Sequence, residues 1–170
     1  MTESVFLGIG SNLGDRMKYL REAVRLIGEL PRTSVAAVSR VYETEPYGLK
    51  DQPMYLNAVL EARTELSPEI VHEEVKRIER NMGRRETKRW GPREIDIDIL
   101  YFGPRKINTD ALHIPHPGVR QRRFVLCPLA ELAGDFRDPE SGLTVEIMLK
   151  QCDDESSVRE FTQTLTISSP

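Results

Sequence analysis

Acidic and β-branched side chains alternate along Glu94-Ile95-Asp96-Ile97-Asp98-Ile99, and an aromatic run ending at Gly103 follows. Strand side chains alternate faces, so Asp96 and Asp98 project to one side, about 6.6 Å apart along the backbone, and Ile95, Ile97 and Ile99 to the other. A strand divided in this way belongs to a sheet with one face on an apolar core and a second face free for something else. Asp is depleted in strands, so the doublet points to use. Two carboxylates on one face suit hard, oxygen-seeking cations such as Mg²⁺, which bind through one or two carboxylates and keep water or phosphate as their other ligands. The plainer alternative is an edge strand whose acids merely meet water.

At 170 residues the chain suits one domain, and a globule of that size buries roughly 70% of its unfolded surface, enough for an ordinary core. A net charge of -3 with 39% hydrophobic and 30% charged residues gives no support to disorder or to bulk polyanion binding. The apolar start Val5-Phe6-Leu7-Gly8-Ile9 is too short for a signal sequence and no run reaches a spanning length, so a cytoplasmic, membrane-free protein is expected. Cys127 and Cys152 lack ligand spacing and read as reduced structural thiols.

Periodicity lays out the order of elements. Val5 to Gly10 reads as a strand whose second face, Phe6, Gly8 and Gly10, is stripped bare; paired glycines on one face suggest close approach by a ligand. Met17, Leu20, Ala23, Val24, Ile27 and Leu30 recur at helical spacing. A second strand is expected around Ser34 to Tyr42, then a loop from Glu43 to Pro53 of about eleven residues, longer than most connections and so expected to work. Tyr55 to Ala62 alternates again. Ser67 and Pro68 open a second helix with Val71, Val75, Ile78 and Met82 as its stripe and Gly83 as its stop. The order βαββαβ predicts an α+β, ferredoxin-like sandwich: a mainly antiparallel sheet with both helices on one face, the other face left for function, and C-terminal additions. The division expected is a domain over 1–152 and a loosely held polar tail over 153–170.

Neighbouring strands would gather Gly8, Gly10, Tyr55, Asn57, Asp96 and Asp98 on one surface. Tyr55 can stack on a flat ring, and Asn57 can both donate to and accept from a heterocycle's edge. Arg84, Arg85, Lys88, Arg89 and Arg93 crowd the loop before the Asp strand, and Arg120, Arg122 and Arg123 cluster near His113 and His116. Guanidinium forks match phosphate oxygens, and loops beside such a site can act as lids. The rival reading is a sheet that stacks RNA bases on Tyr55 and Phe6. Asp96 and Asp98 oppose it, because they would repel a phosphate backbone, so no nucleic-acid partner is expected.

Gly10-Ser11-Asn12-Leu13-Gly14-Asp15, Asp51-Gln52-Pro53 with Tyr55-Leu56-Asn57, Arg89-Trp90-Gly91-Pro92-Arg93 leading into Asp96-Ile97-Asp98, and Pro115-His116-Pro117 with Arg122, Phe124 and Pro128-Leu129 resemble the 6-hydroxymethyl-7,8-dihydropterin pyrophosphokinase family, in the same order from about Val5 to Leu149. The resemblance implies transfer of pyrophosphate from ATP to the pterin hydroxymethyl group with release of AMP, in folate biosynthesis, by a monomer acting on small molecules. It implies that Asp96 and Asp98 hold two Mg²⁺ ions and, with Arg84 and Arg93, carry the chemistry. Gly10, Thr44, Pro46, Tyr47, Tyr55, Asn57, Trp90 and Phe124 would bind the pterin, with Tyr55 and Phe124 sandwiching it. Glu79, Arg84, Arg93, Ile99, His113, His116 and Arg122 would bind ATP. Ala111 stands where some members have Arg, which leaves one nucleotide contact either missing or supplied by Arg120 or Arg123. Pro117 stands where some have an aromatic, and the shorter basic loop leaves the second phosphate clamp to Arg85 or Lys88.

Overall fold

Residues 1–167 are described by a computed structural model. The elements run β1 (Glu3–Ser11), α1 (Arg16–Gly28), β2 (Thr33–Val38), β3 (Tyr42–Thr44), β4 (Tyr55–Thr64), α2 (Pro68–Asn81), β5 (Asp96–Phe102), β6 (Ile107–Asn108), β7 (His113–Ile114), α3 (Arg123–Ala133), α4 (Val145–Gln151) and β8 (Val158–Glu160). One six-stranded sheet follows the order β5-β1-β4-β3-β8, with β2 also on β4, and every pairing in it is antiparallel. Taken over the strands expected from periodicity, the order β5-β1-β4-β2 is the ferredoxin-like one. A separate two-stranded ribbon joins β6 and β7.

Local chemistry starts both helices and ends α2 where the sequence indicates, whereas α1 ends at Gly28, before the last expected stripe residue Leu30. Asp15 accepts from the Lys18 amide at the start of α1, and Ser67 from the Ile70 amide ahead of Pro68 at the start of α2. Gly83, with φ of +89°, supplies the left-handed turn that ends α2. The stripes Met17, Leu20, Ala23, Val24, Ile27 and Val71, Val75, Ile78 bury against Val5, Leu7, Ile9, Leu56, Ala58, Leu60, Ala62, Ile97 and Phe102 of the sheet. Fully burying each Val, Leu, Ile, Met or Phe among them contributes about 1.5–3 kcal/mol.

Three expectations need correction. The far face of the sheet is only half free. Phe6, Val59, Leu100 and Tyr101 form a second core there with Leu126 and Leu129 of α3 and Val145 and Met148 of α4, giving three layers. A register shift between Phe6 and Leu7 makes this possible, since Leu7 pairs with Ile99 but Phe6 pairs with Tyr101. Leu100 and Tyr101 therefore both enter the second core while Phe102 returns to the first. Second, the expected strand to Tyr42 is divided, and Glu43 and Thr44, expected in a loop, belong to β3. Third, the expected tail is tied down over its described residues: β8 pairs with β3, the Phe161 amide donates to Val41 O (2.7 Å), and Leu165 is buried in the main core, while residues 168–170 lie outside the described residues. Among the described residues no helix is long and apolar enough to cross a membrane.

Candidate active site

The uncovered half of the far face is fixed by register. Gly8 pairs with Asp98 and Gly10 with Asp96 on one side of β1, and Gly10 pairs with Asn57 on the other. The acidic doublet, the glycines, Tyr55 and Asn57 consequently line one cavity of about 310 Å³, together with Thr44, Tyr47, Trp90, Arg93, His116, Arg122 and Phe124. A Cβ at Gly10 would collide with Asn57 Oδ1, so glycine is required there for the amide to sit in the cavity wall. Asn57 Nδ2 donates to Thr44 Oγ1 (2.7 Å), which fixes the amide and leaves Oδ1 as an acceptor. Burial holds the Tyr55 phenol above its ordinary pKa, so its hydroxyl stays protonated and reaches Gly91 O at 3.4 Å.

Asp96 is organised from behind by α2. Glu79 is nearly fully buried, and its Oε1 accepts the Ile97 amide (2.7 Å) while Oε2 accepts from Arg84 (2.6 Å). Arg84 and Arg93 both donate to Asp96 Oδ1, at 3.1 and 3.2 Å. Burial works against the Arg84 charge, but Glu79 and Asp96 outweigh it and hold its pKa above the ordinary value. Beside this network lies a second cleft of about 510 Å³ lined by Lys76, Glu79, Arg80, Arg84, Arg85, Glu86, Thr87 and Arg93. Arg93 lines both spaces, so a predominantly cationic cleft opens directly beside the two carboxylates.

Asp98 is pushed up to about 7, first by desolvation and then by the like charge of Asp96. Its neighbour His116, whose amide is anchored on Leu100 O (3.0 Å), is pulled down to about 4 by burial and then by Arg122. The Gly118 amide donates to His116 Nδ1 (3.1 Å), so the neutral ring carries its proton on Nε2, which lies 3.9 Å from Asp98 Oδ2. That N–H is available to an anion. Arg122 Nε is buried without a hydrogen-bond partner among the described residues.

A divalent cation fits this wall. Among the described residues no group of three or more His, Cys, Asp or Glu side chains converges, so an all-protein cage is absent. Within the described residues, neither Asp98 oxygen nor Asp96 Oδ2 accepts a hydrogen bond from the protein. Two carboxylates completed by phosphate or water is the Mg²⁺ pattern.

The mouth is built by the segments before β4 and β5. Tyr47 meets Trp90 edge-on (centroids 5.4 Å) and Phe124 at 6.0 Å, and the Arg122 guanidinium lies over both Tyr47 (4.8 Å) and Trp90 (5.4 Å). Trp90 packs so closely on Gly48, φ +83°, that a Cβ there would touch its ring. Gln52 Nε2 donates to Trp90 O (2.7 Å). Asn12, almost wholly buried, donates from Nδ2 to Gln52 Oε1 and Pro53 O, both at 3.0 Å.

Most of the expected residues converge. Glu79 and Arg84 line the second cleft, Glu79 with its oxygens already used by the protein. Pro46, Ile99 and His113 line neither space; Ile99 faces the main core and His113 stands exposed on β7. Arg120, one of the two arginines expected to replace an arginine at position 111, is held instead by Glu140 (3.0 Å) and Asp138 (3.6 Å). Arg123, the other, reaches neither space, and of the two clamp candidates Arg85 lines the second cleft and Lys88 does not. Sequence reasoning missed Asn12, Glu45, Lys76 and Val125. Lys76 was detectable, since it lies three residues before Glu79 on the same helix face.

The family model for 7,8-dihydro-6-hydroxymethylpterin-pyrophosphokinase (HPPK) matches residues 6–134. The chain is 40% identical over 162 residues to the 2-amino-4-hydroxy-6-hydroxymethyldihydropteridine pyrophosphokinase of Bacillus subtilis, covering 95% of this chain and 97% of that one. It is 38% identical to the Haemophilus influenzae protein of the same name, covering 88% and 94%. Among solved structures, wild-type HPPK-DHPS of Plasmodium falciparum with pterin and p-hydroxybenzoate shares the fold at TM-score 0.70 and 16% identity; the match covers 89% of this chain and 42% of that longer one.

Proposed function

The chain belongs to the 7,8-dihydro-6-hydroxymethylpterin-pyrophosphokinase family, whose activity is the transfer of pyrophosphate from ATP to the hydroxymethyl group of the dihydropterin in folate synthesis, and we propose how its cavity carries that reaction. One observation supports the reading above all: Asp96, pinned between Arg84 and Arg93, stands between an aromatic slot and a cationic cleft.

In this proposal the pterin occupies the slot, its ring between Tyr55 and Phe124, with Asn57 and Thr44 reading its polar edge. Gly10 lets the ring approach the strand. Trp90 and Tyr47 cover the mouth and keep water out, so that ATP is not simply hydrolysed. The triphosphate lies along the second cleft against Arg84, Arg85 and Arg93, and reaches Arg122 and the Nε2 proton of His116. The hydroxymethyl oxygen releases its proton to solvent and forms its bond to the β-phosphorus in line with the breaking bond to the α-phosphate oxygen, and AMP departs with that oxygen. Arg84 and Arg93 stabilise the charge that develops there.

Asp96 and Asp98 would hold two Mg²⁺ ions, which supply charge neutralisation of the phosphates and acidification of the hydroxyl when bound. Glu79 acts through Arg84, and it is a positioning group in this scheme. The same reading takes the protein to be a cytoplasmic monomer that acts on small molecules and binds no nucleic acid.

Incubation with ATP, Mg²⁺ and 6-hydroxymethyl-7,8-dihydropterin tests the proposal. Equimolar AMP and pterin diphosphate are expected, and AMP formation should require the pterin. Release of ADP, or AMP formation indifferent to the pterin, would contradict it.

A further inference from the structure

The family match ends at residue 134, yet the chain beyond it returns to the cavity. After α4 ends at Gln151, the backbone must cross from the outer helical layer to the sheet edge, where Val158 pairs with Thr44. On the way it touches both sides of the slot. Asp154 Oδ2 accepts the Arg123 amide (3.0 Å) at the first turn of α3, a helix whose own N-cap, Arg122, offers no side-chain bond. The residues beside that amide, Arg122 and Phe124, line the cavity. Three residues on, the Ser157 amide donates to Glu45 Oε1 (3.2 Å), and the Glu45 amide donates to Ser157 O (3.3 Å). Glu45 stands between Thr44 and Tyr47, and all three line the cavity.

Asp154 is itself locked. Its Oδ1 accepts from the Ser156 amide (3.0 Å) and the Ser156 hydroxyl (2.5 Å). Burial raises its pKa, but these bonds and the Arg123 amide outweigh that and hold the carboxyl below its ordinary value. The segment is thus a short, internally bonded strap with one end on α3 and the other at the base of the 45–53 loop.

We propose that Asp154 is a positioning residue for the pterin slot: by holding the start of α3 at a fixed distance from Glu45, the 154–157 strap sets the spacing between the Tyr47 and Phe124 sides of the cavity. Tyr47 and Phe124 rings meet at 6.0 Å, a contact that a small shift of either support would open. The inference rests on the pterin reading of the slot. Its main effect is on the pterin side; of the proposed phosphate contacts, Arg122 at the N-cap of α3 shares this support, while Asp96, Arg84 and Arg93 hang on α2 and β5.

Steady-state kinetics on the full chain with Asp154→Ala, Asp154→Asn and Ser156→Ala test it. Loss of a cap of this kind costs about threefold to tenfold in the equilibrium it supports. Asp154→Ala should therefore raise KM for the pterin by about that factor, with a smaller rise in KM for ATP through Arg122, while kcat stays within about twofold. Asn offers one acceptor oxygen where Asp154 uses two, so Asp154→Asn should recover part of the pterin KM, and Ser156→Ala, which leaves Oδ2 on the Arg123 amide, should also fall between. Equal pterin KM in folded Asp154→Ala and the parent, or a loss that tracks kcat and ATP KM together, would overturn the strap. If Asp154→Ala fails to fold, Ser156→Ala decides by the same criteria. An inactive parent would instead overturn the pterin reading itself.

Discussion

Asn12 and Arg93 exchange two hydrogen bonds: the Asn12 amide donates to Arg93 O (3.1 Å), and the Arg93 amide donates to Asn12 Oδ1 (2.8 Å). With Nδ2 committed to Gln52 and Pro53, one buried side chain fastens both segments that roof the cavity. Asn12→Ala would leave the Arg93 N–H and the Pro53 carbonyl without those partners, a cost of about 1–3 kcal/mol for each buried group left unpaired. We expect a lowered melting temperature and raised KM for both substrates. Parent-like stability and kinetics would show that the clasp is immaterial.

Gly10→Ala tests the slot separately. Its Cβ would displace Asn57 without asking the strand for a left-handed backbone, so folding should survive. Pterin KM should rise on the order of tenfold or more, since a group that reads a polar edge is moved. ATP binding, measured by calorimetry with a non-hydrolysable analogue, should be unchanged. An unaltered pterin KM would place the heterocycle elsewhere.

Glu79 supports the phosphate side. Glu79→Ala removes the acceptor for Ile97 N and the partner of Arg84, so chemical denaturation should show a loss of about 2–3 kcal/mol. Any folded fraction should have a larger defect in kcat than in pterin KM. Glu79→Gln keeps one acceptor and should recover most of the stability. Equal destabilisation in both variants would mean that packing, and not the bonds, is what counts.

The pH response follows from opposite shifts at Asp98 and His116. Asp98, raised from 3.8 to about 7, keeps a proton in the folded chain that the unfolded chain has shed, so its contribution to stability is present at acid pH and is lost as pH rises through about 7. His116, lowered from 6.5 to about 4, behaves the other way: its contribution is full above the unfolded value and is lost as pH falls towards about 4. The two slopes oppose each other in the metal-free protein. Asp98→Asn removes the first, so its melting temperature should climb more steeply between pH about 4.5 and 6.5 than the parent's. Parallel curves would contradict the assignment.

Periodicity made β1, α1, β4, α2 and β5 readable, because each buries one continuous stripe. The acidic pair and its neighbours Gly10 and Asn57 followed from face assignment alone. Tyr101 did not, since a single register shift moves it to the face of Leu100 and defeats simple alternation. The three-residue strands β3 and β8 carry too few side chains for a pattern, and their pairing spans more than a hundred residues of sequence. Asn12 reads as an ordinary turn residue; its partners lie 40, 41 and 81 positions away. What the sequence shows is therefore what each stretch buries, and what it hides is which distant backbone a polar side chain will serve.

The central claim is that Asp96 and Asp98 together present the ATP phosphates to the pterin hydroxyl. Pterin-dependent AMP formation, followed as Mg²⁺ is titrated into the parent chain and into Asp96→Asn and Asp98→Asn, tests it most directly, with circular dichroism confirming the fold. The account predicts Mg²⁺-dependent turnover in the parent and a loss of about a thousandfold or more in each variant at every Mg²⁺ concentration. Near-parental turnover in either folded variant, or turnover in the parent that persists in excess chelator, would contradict it.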